Sequence, residues 1–365
     1  MTRTLALLIL FVPSQAVAQD YAKAAKADAA AAAEIAKQEL VGTAVVVIDG
    51  GAVVWAKGYG HADREAGLAV DPAATQFRWA SVSKPVTAVA ALQLAEKGEL
   101  DLDADVRRYV PEFPDPGEKV TARQLLCHQG GIVHYSNGKV VKTTRDYAEP
   151  HPFADVVTAL DAFKASPLVH KPGEKYAYST HGYVLLSAVV QRAGKRPFAE
   201  QVKARIADPL RMTGFRPDYE WEAIPRRAAG YTRKDGTIAR RPALLAPDVS
   251  WKLGGGGYTS PAAAMAAFGV GLLNRTLVTE PTERLMWAPT RPSGETADRP
   301  YGLGFGLGTT PGGVKWVGHT GAQEKTRAAL ILDPVGKRGV VVMTNSEWAE
   351  TVRLAAAVLD AIRSS

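Results

Sequence analysis

The sequence predicts an α/β protein of the α+β type: one antiparallel β-sheet built from both chain ends and flanked by helices, plus a mainly helical lobe. Three observations predict it. β-Branched apolar runs lie near both termini, each end also carries a long helix-like segment, and the stretch between is dominated by apolar helical runs broken by Pro and Gly. With 365 residues, 46% of them hydrophobic, the chain can bury a substantial core.

Taken in order, residues 1 to 18 run from Arg3 through the apolar stretch Leu5 to Val12 to Ala16-Val17-Ala18, ahead of Gln19. That is the layout of a secretory signal, so export to a periplasm or medium with Gln19 as first mature residue is expected. The apolar part is too short to span a membrane, no Cys follows the cleavage site, and no later run is long enough, so no stable membrane anchor is expected. Tyr21 to Leu40 is Ala-rich and suits a helix. Thr43 to Ile48 and Ala52 to Tyr59 read as strands joined by the turn Asp49-Gly50-Gly51. A second antiparallel pair, Ala328 to Leu332 and Gly339 to Thr344, turns through Asp333-Pro334 and Gly336, and an amphipathic helix runs from Glu347 to Ile362. Loops are expected at Pro111 to Gly117, Asn137-Gly138, Pro172-Gly173 and Gly254 to Gly257. With no internal repeat or low-complexity linker, residues 19–365 are expected to form one domain. Its α/β lobe spans about 19–80 and 290–365, and its helical lobe about 81–289.

Several function classes are disfavoured. The net charge of +7 comes from scattered pairs such as Arg107-Arg108 and Arg240-Arg241, which argues against nucleic-acid binding. Cys127 is the single cysteine, so no intrachain disulfide forms, and its apolar flank Leu125-Leu126 reads as core. The Gly254 to Gly257 run lacks a following Lys-Ser or Lys-Thr and reads as a flexible or tightly turning loop, not a phosphate loop. The seven His residues show no H-E-x-x-H spacing, and no G-x-S-x-G elbow occurs. No metal or cofactor is implied.

One segment carries chemistry. Phe77-Arg78-Trp79-Ala80-Ser81-Val82-Ser83-Lys84-Pro85 leads into the apolar helical run Val86 to Leu94, so Ser81 falls at a helix start, where Pro85 is tolerated. Three positions apart on one turn, Ser81 and Lys84 project to the same side. A hydroxyl needs a base to become a nucleophile, and a buried lysine can be neutral enough to serve. Ser136-Asn137-Gly138-Lys139 repeats the spacing in polar turn sequence without a helix and reads as chance. Further on, Tyr178 in Tyr176-Ala177-Tyr178-Ser179-Thr180 precedes the apolar run Tyr183 to Val190 and can relay a proton. Val317-Gly318-His319-Thr320-Gly321-Ala322 lies just ahead of the terminal strands, where small residues permit close approach to a strand edge.

Together these segments resemble the serine β-lactamase and penicillin-binding-protein superfamily, and most closely its class C branch of esterases, D-aminopeptidases and β-lactamase-like serine peptidases. The resemblance extends from Gly42 to Asn345 and takes in Leu125 to Gly131, Gly254 to Ser260 and Tyr301 to Gly306. It implies the β-lactamase/transpeptidase-like fold, with Ser81 as acylated nucleophile, Lys84 as proton acceptor and Tyr178 as the group that helps protonate the leaving group. It also implies an oxyanion hole from the amides of Ser81 and Ala322, and a substrate site at Thr180, His319, Thr320 and Gly321. Two departures matter: Thr180 stands where many members carry Asn, and His319 where they carry Lys. A neutral imidazole holds a substrate carboxylate poorly, which argues against efficient β-lactam hydrolysis. Lys325 and Arg327 are the nearby cations, expected to be solvated.

The expected function is exported serine hydrolysis of a small ester, amide or peptide, possible peptidoglycan-derived substrates included. The alternatives are a peptidoglycan D,D-peptidase or weak β-lactamase, and a non-catalytic penicillin-binding-like envelope protein. The stretches Gly131 to Pro152 and Pro217 to Asp248 are expected to wall the pocket.

Overall fold

The computed structural model describes residues 21–242 and 248–363; the expected leader, residues 1 to 18, lies outside them. The chain forms α1 (Ala24–Gln38), β1 (Gly42–Asp49), β2 (Ala52–Asp63), β3 (Leu68–Ala69) and β4 (Phe77–Arg78). There follow α2 (Ser83–Glu96), α3 (Ala122–Leu126), α4 (Thr180–Ala193), α5 (Phe198–Val202), β5 (Arg216–Pro217), β6 (Tyr231–Lys234) and β7 (Thr237–Arg240). Next come α6 (Leu253–Gly256), β8 (Tyr258–Ser260), α7 (Ala262–Leu273) and α8 (Glu280–Met286). The last elements are β9 (Gly306–Thr309), β10 (Lys315–Gln323), β11 (Thr326–Asp333), β12 (Arg338–Thr344) and α9 (Thr351–Arg363).

The main sheet has seven strands in the order β3-β2-β1-β12-β11-β10-β9, and its pairings are antiparallel. The two chain ends meet in its middle, where β1 pairs with β12 from Thr43↔Thr344 to Ile48↔Gly339. The unbroken apolar run in β1 follows from burial on both faces. Val45 and Val47 pack with Leu354, Val358 and Ile362 of α9 and with α1, whereas Ala44, Val46 and Ile48 face the larger core on the other side. The β1–β2 hairpin closes on Gly50 and Gly51, at φ 62° and 76°, the left-handed pair that a two-residue turn of this hand requires.

The inner face of the sheet is covered by α7. A Cβ on its Gly269 would stand 3.0 Å from Ile48 Cδ1 and 3.1 Å from Leu330 Cδ1, so helix and sheet approach closely there. Helices α2 and α4 are buried along nearly their whole length, as their all-round apolar sequences demand. A three-stranded sheet, β4-β8-β5, fixes the approach to α2. Its strands are too short to leave a periodic trace in the sequence. The Pro217 to Asp248 stretch contains the β6–β7 hairpin, turning at Asp235-Gly236. Among the described residues, no helix is long and apolar enough to cross a membrane.

Candidate active site

Ser81 stands at a corner between β4 and α2. Trp79, fully buried, donates from Nε1 to Ser260 Oγ at 2.7 Å, and its backbone N–H donates to the Tyr258 carbonyl, so β8 clamps the residues before the corner. The chain then bends through Ala80 at φ 47°, a left-handed conformation that a residue with a Cβ adopts only when its surroundings impose it. A 3-10 turn, Ala80–Val82, passes into α2, leaving Ser81 partly exposed while Ser83 and Lys84 are buried.

The Lys84 side chain is fully buried and points back at this turn. Its Nζ lies 3.1 Å from Ser81 Oγ, 3.3 Å from Thr180 Oγ1 and 2.7 Å from the Gly255 carbonyl oxygen. Among the described residues no carboxylate pairs with it, and burial, followed by the charge of Lys252, pushes its pKa well below the ordinary lysine value. A neutral amine has two N–H bonds and one lone pair. With Gly255 and Thr180 taking the N–H bonds, the lone pair is left for the Ser81 hydroxyl.

The Gly254 to Gly257 run is therefore a packed helical turn and its cap, not the expected loop. Its first three glycines lie in α6, all are buried, and a Cβ would stand 2.6 Å from Ser187 Cβ at Gly254 and 2.8 Å from Thr180 Cγ2 at Gly255. Glycine's low helix propensity hides this turn from sequence reading, while close packing against α4 requires glycine there. The Gly254 carbonyl accepts from Thr87 Oγ1 at 2.7 Å, so both of these glycines bond to α2.

Tyr178 lies in the loop before α4, with its ring centroid 4.8 Å from Lys84 Nζ. Burial pushes its phenol well up, against the pull of a hydrogen-bonding contact with Ser81, so it stays protonated at neutral pH. The loop is held by histidines whose role the sequence did not disclose. Ser179 N–H donates to His128 Nδ1 and Thr180 N–H to His134 Nδ1, both at 3.2 Å. Burial pushes His128 well down and His134 down to about 4, so both are neutral acceptors at neutral pH. The His128 ring lies 4.2 Å from that of Tyr178 and 5.1 Å from that of Tyr183.

Strand β10 closes the site. β9 pairs with it only from Lys315 to Gly318, so its outer edge from His319 onward is unpaired. Gln323↔Thr326 closes the hairpin to β11, and ladder alternation then turns the N–H and C=O of Ala322 away from β11, to the open edge. Gly321 is pressed against the Ser81 corner: a Cβ there would stand 2.3 Å from the Trp79 carbonyl oxygen. Thr320 is exposed. His319 is buried, and its Nδ1 donates to the Thr320 carbonyl at 2.6 Å, which leaves Nε2 to accept from the Tyr301 hydroxyl at 3.0 Å. Burial and then Lys84 push His319 down to about 3, so it supplies no cation.

Ser81, Lys84, Tyr178, Thr180 and His319 thus surround one point, with Thr180 turned toward Lys84. Ser136 and Lys139 lie exposed on a turn. Cys127 is buried and its thiol is pushed up to about 12, in keeping with a core role. Lys325 and Arg327 are half-buried instead of solvated, and Arg327 Nη1 donates to the Gln323 and Thr326 carbonyls at 2.9 and 2.8 Å. The hairpin turn folds both back against the body of the protein.

The Beta-lactamase family model matches residues 26–363. The human protein described as "Serine beta-lactamase-like protein LACTB, mitochondrial" is 30% identical over 295 residues, covering 64% of this chain and 53% of that protein. "Esterase EstB" of Burkholderia gladioli is 37% identical over 199 residues, covering 52% of this chain and 50% of that protein. Thus the chain spans about half the length of these curated relatives. Among solved structures, the octameric penicillin-binding protein homologue from Pyrococcus abyssi superposes with a TM-score of 0.75 at 26% identity, covering 93% of this chain and 77% of that one. With its family matched from α1 to α9 and its fold shared with that homologue, the chain belongs to the Beta-lactamase family.

Proposed function

We propose that the protein is a serine acyl hydrolase that forms an acyl-enzyme at Ser81. The observation that carries this reading is the fully buried Lys84 amine, 3.1 Å from Ser81 Oγ and without a carboxylate partner among the described residues. In the first half-reaction Lys84 takes the Ser81 proton as Oγ attacks the carbonyl carbon of an ester or amide. The resulting oxyanion is held by the N–H groups of Ser81 and Ala322, a contribution worth about 3–4 kcal/mol per donor in comparable sites. Collapse breaks the bond to the leaving group, which takes a proton from Tyr178, and the Lys84 ammonium replaces that proton. Water then attacks the acyl-enzyme, gives a proton to the same relay, and releases the acid with Ser81 restored.

Ester and small amide substrates are favoured over β-lactams, because His319, neutral and bonded at both ring nitrogens, puts no cation at its position on β10. The relative described as an esterase supports the same direction. We further propose export, with cleavage after Ala18, on the layout of residues 1 to 18. Intact mass of protein recovered from an exporting host tests this, since a chain that keeps those residues contradicts it.

The decisive experiment is intact mass after a fluorophosphonate probe and, separately, after a penicillin, for wild type and Ser81→Ala. A fluorophosphonate adduct on wild type alone supports the proposal. Equal labelling of the variant removes Ser81 as nucleophile, and labelling by penicillin but not fluorophosphonate favours the peptidase alternative.

A further inference from the structure

A cavity of about 650 Å³ opens beside the first turn of α4, within the size range of sites for small organic ligands. Five of its walls are aromatic rings, those of Tyr135, Tyr147, Phe153, His181 and Trp251. The segment that carries Tyr147 is pinned to the body of the protein. Val141 N–H donates to Ser166 Oγ and Thr143 N–H to the Asp161 carbonyl, both at 2.7 Å, and the Tyr147 hydroxyl donates to Asp161 Oδ2 at 3.0 Å. Asp161 is the one acid in the lining, and Arg145 and Lys164 both pair with it, while Lys142 is exposed to water. Such walls suit a neutral ligand.

His181 supplies the polar feature. Its Nδ1 donates to the Val133 carbonyl at 2.9 Å, so in the neutral ring Nε2 carries the lone pair. Burial pushes the ring's pKa down, against the opposing pull of that bond, and keeps it neutral. Among the described residues Nε2 has no hydrogen-bond partner, and unlike Nε2 of His128 it is not sealed from solvent; the opening beside the ring is this cavity. The ring is held in place, stacked on Phe163 at 4.6 Å and 14° and 5.3 Å from the ring of Trp251. A fixed acceptor among aromatic walls points to an aromatic ligand that carries a donor.

Three of the segments that wall the cavity also hold the hydrolytic centre. His181 follows Thr180, whose Oγ1 is 3.3 Å from Lys84 Nζ. Trp251 lies four residues before Gly255, whose carbonyl accepts from the same amine. The Tyr135 ring is 3.6 Å from that of His134, which is 5.7 Å from the Tyr178 ring. We propose that the cavity binds a hydroxyaryl group of the substrate, with its ring against Trp251 and its hydroxyl donating to His181 Nε2, so that esters or amides bearing such a group are preferred. The proposal rests on the reading of Ser81 as the hydrolytic centre. An aliphatic chain would fill the volume but leave Nε2 unmet, and a carboxylate would meet a ring nitrogen with no proton to give.

The test compares kcat/KM within two pairs of esters that differ by one hydroxyl. Methyl dihydro-p-coumarate and methyl hydrocinnamate carry the ring in the acyl half, and tyrosol acetate and phenethyl acetate carry it in the alcohol. Wild type should favour the hydroxyl-bearing member of one pair by about three- to tenfold, the scale of one neutral hydrogen bond. The pair that responds identifies the half of the ester that enters the cavity. His181→Phe keeps a ring for Phe163 to stack on and should abolish the preference, whereas His181→Gln, whose amide oxygen can take the place of Nε2, should keep part of it. Trp251→Ala should raise KM for both members of the responding pair. No hydroxyl preference in either pair, or one that survives His181→Phe, overturns the proposal.

Binding is read without turnover in protein labelled with ¹⁵N-tryptophan, where the Trp251 indole signal is assigned by its loss in Trp251→Phe. p-Cresol should shift that signal at lower concentration than its methyl ether, which lacks the donor. Failure of p-cresol to move it, or equal effects of the two, overturns the proposal. A p-cresol shift in a wild type that hydrolyses none of the four esters would leave the cavity and its ligand standing and remove the catalytic reading instead.

Discussion

Lys84→Met removes a fully buried amine while nearly keeping the side chain's length and volume. Burial lowers the Lys84 pKa in the folded protein, whereas an unfolded chain restores it to about 10.4. Between the two values the unfolded state holds a proton that the folded state lacks, so wild-type stability rises with pH by about 1.4 kcal/mol per unit. Above the unfolded value the slope vanishes, and below the folded value it vanishes again. The variant has no such group. Its advantage over wild type should therefore shrink steadily as pH is raised through that window.

Other effects of the substitution do not mimic this slope. Met leaves the Gly255 carbonyl and Thr180 Oγ1 without the amine, an offset of about 1–3 kcal/mol each that is the same at every pH. Lys252, pushed down to about 8, titrates in both proteins, and its contribution largely cancels in the difference. Urea midpoints for both proteins at half-unit steps from pH 7 to 10 provide the measurement. Parallel stability curves across that range would refute the argument, because they would mean that folded Lys84 remains an ammonium and cannot take the Ser81 proton. The kinetic counterpart, a fall in kcat/KM of about 10²–10⁴-fold, is compatible with several roles for Lys84 and is the weaker test.

Three further outcomes follow from the same site. Gly255→Ala should cost about 1–3 kcal/mol by overpacking, since its Cβ would meet Thr180 Cγ2 at 2.8 Å, and should lower kcat as well; an unchanged melting temperature in calorimetry would contradict the packing. His319 should show no titration by ¹⁵N NMR between pH 8 and 5, and because its pKa of about 3 lies below the unfolded value, stability is lost as pH falls below the unfolded value toward 3. A His319 transition near pH 6.5 would oppose the neutral Tyr301-bonded ring. Arg78→Met leaves the fully buried Asp218 with Arg227 as its remaining ion-pair partner and should cost about 3–5 kcal/mol. Asp218→Asn added to it should recover part of that loss, and an additive double variant would deny the coupling.

What the sequence discloses and what it hides divide along physical lines. The β1–β2 hairpin was legible because Gly50 and Gly51 supply the turn between two β-branched apolar runs, and the Ser81–Lys84 pair because one helical turn fixes their relation. The groups that condition the pair come from far along the chain: Gly255 is 171 positions from Lys84, and Thr180 is 96. The glycine signal was misleading in isolation, since a glycine run looks like a loop. His128 and His134 left no pattern because each acts through a single ring nitrogen on a backbone N–H. Lys252 was hidden for a related reason, as a lone lysine reveals nothing until the fold withholds an acid from it. Burial and then the charge of Lys252 hold the Lys84 amine below its ordinary value, and an enzyme that uses a lysine as a base gains from a cationic neighbour that keeps it neutral.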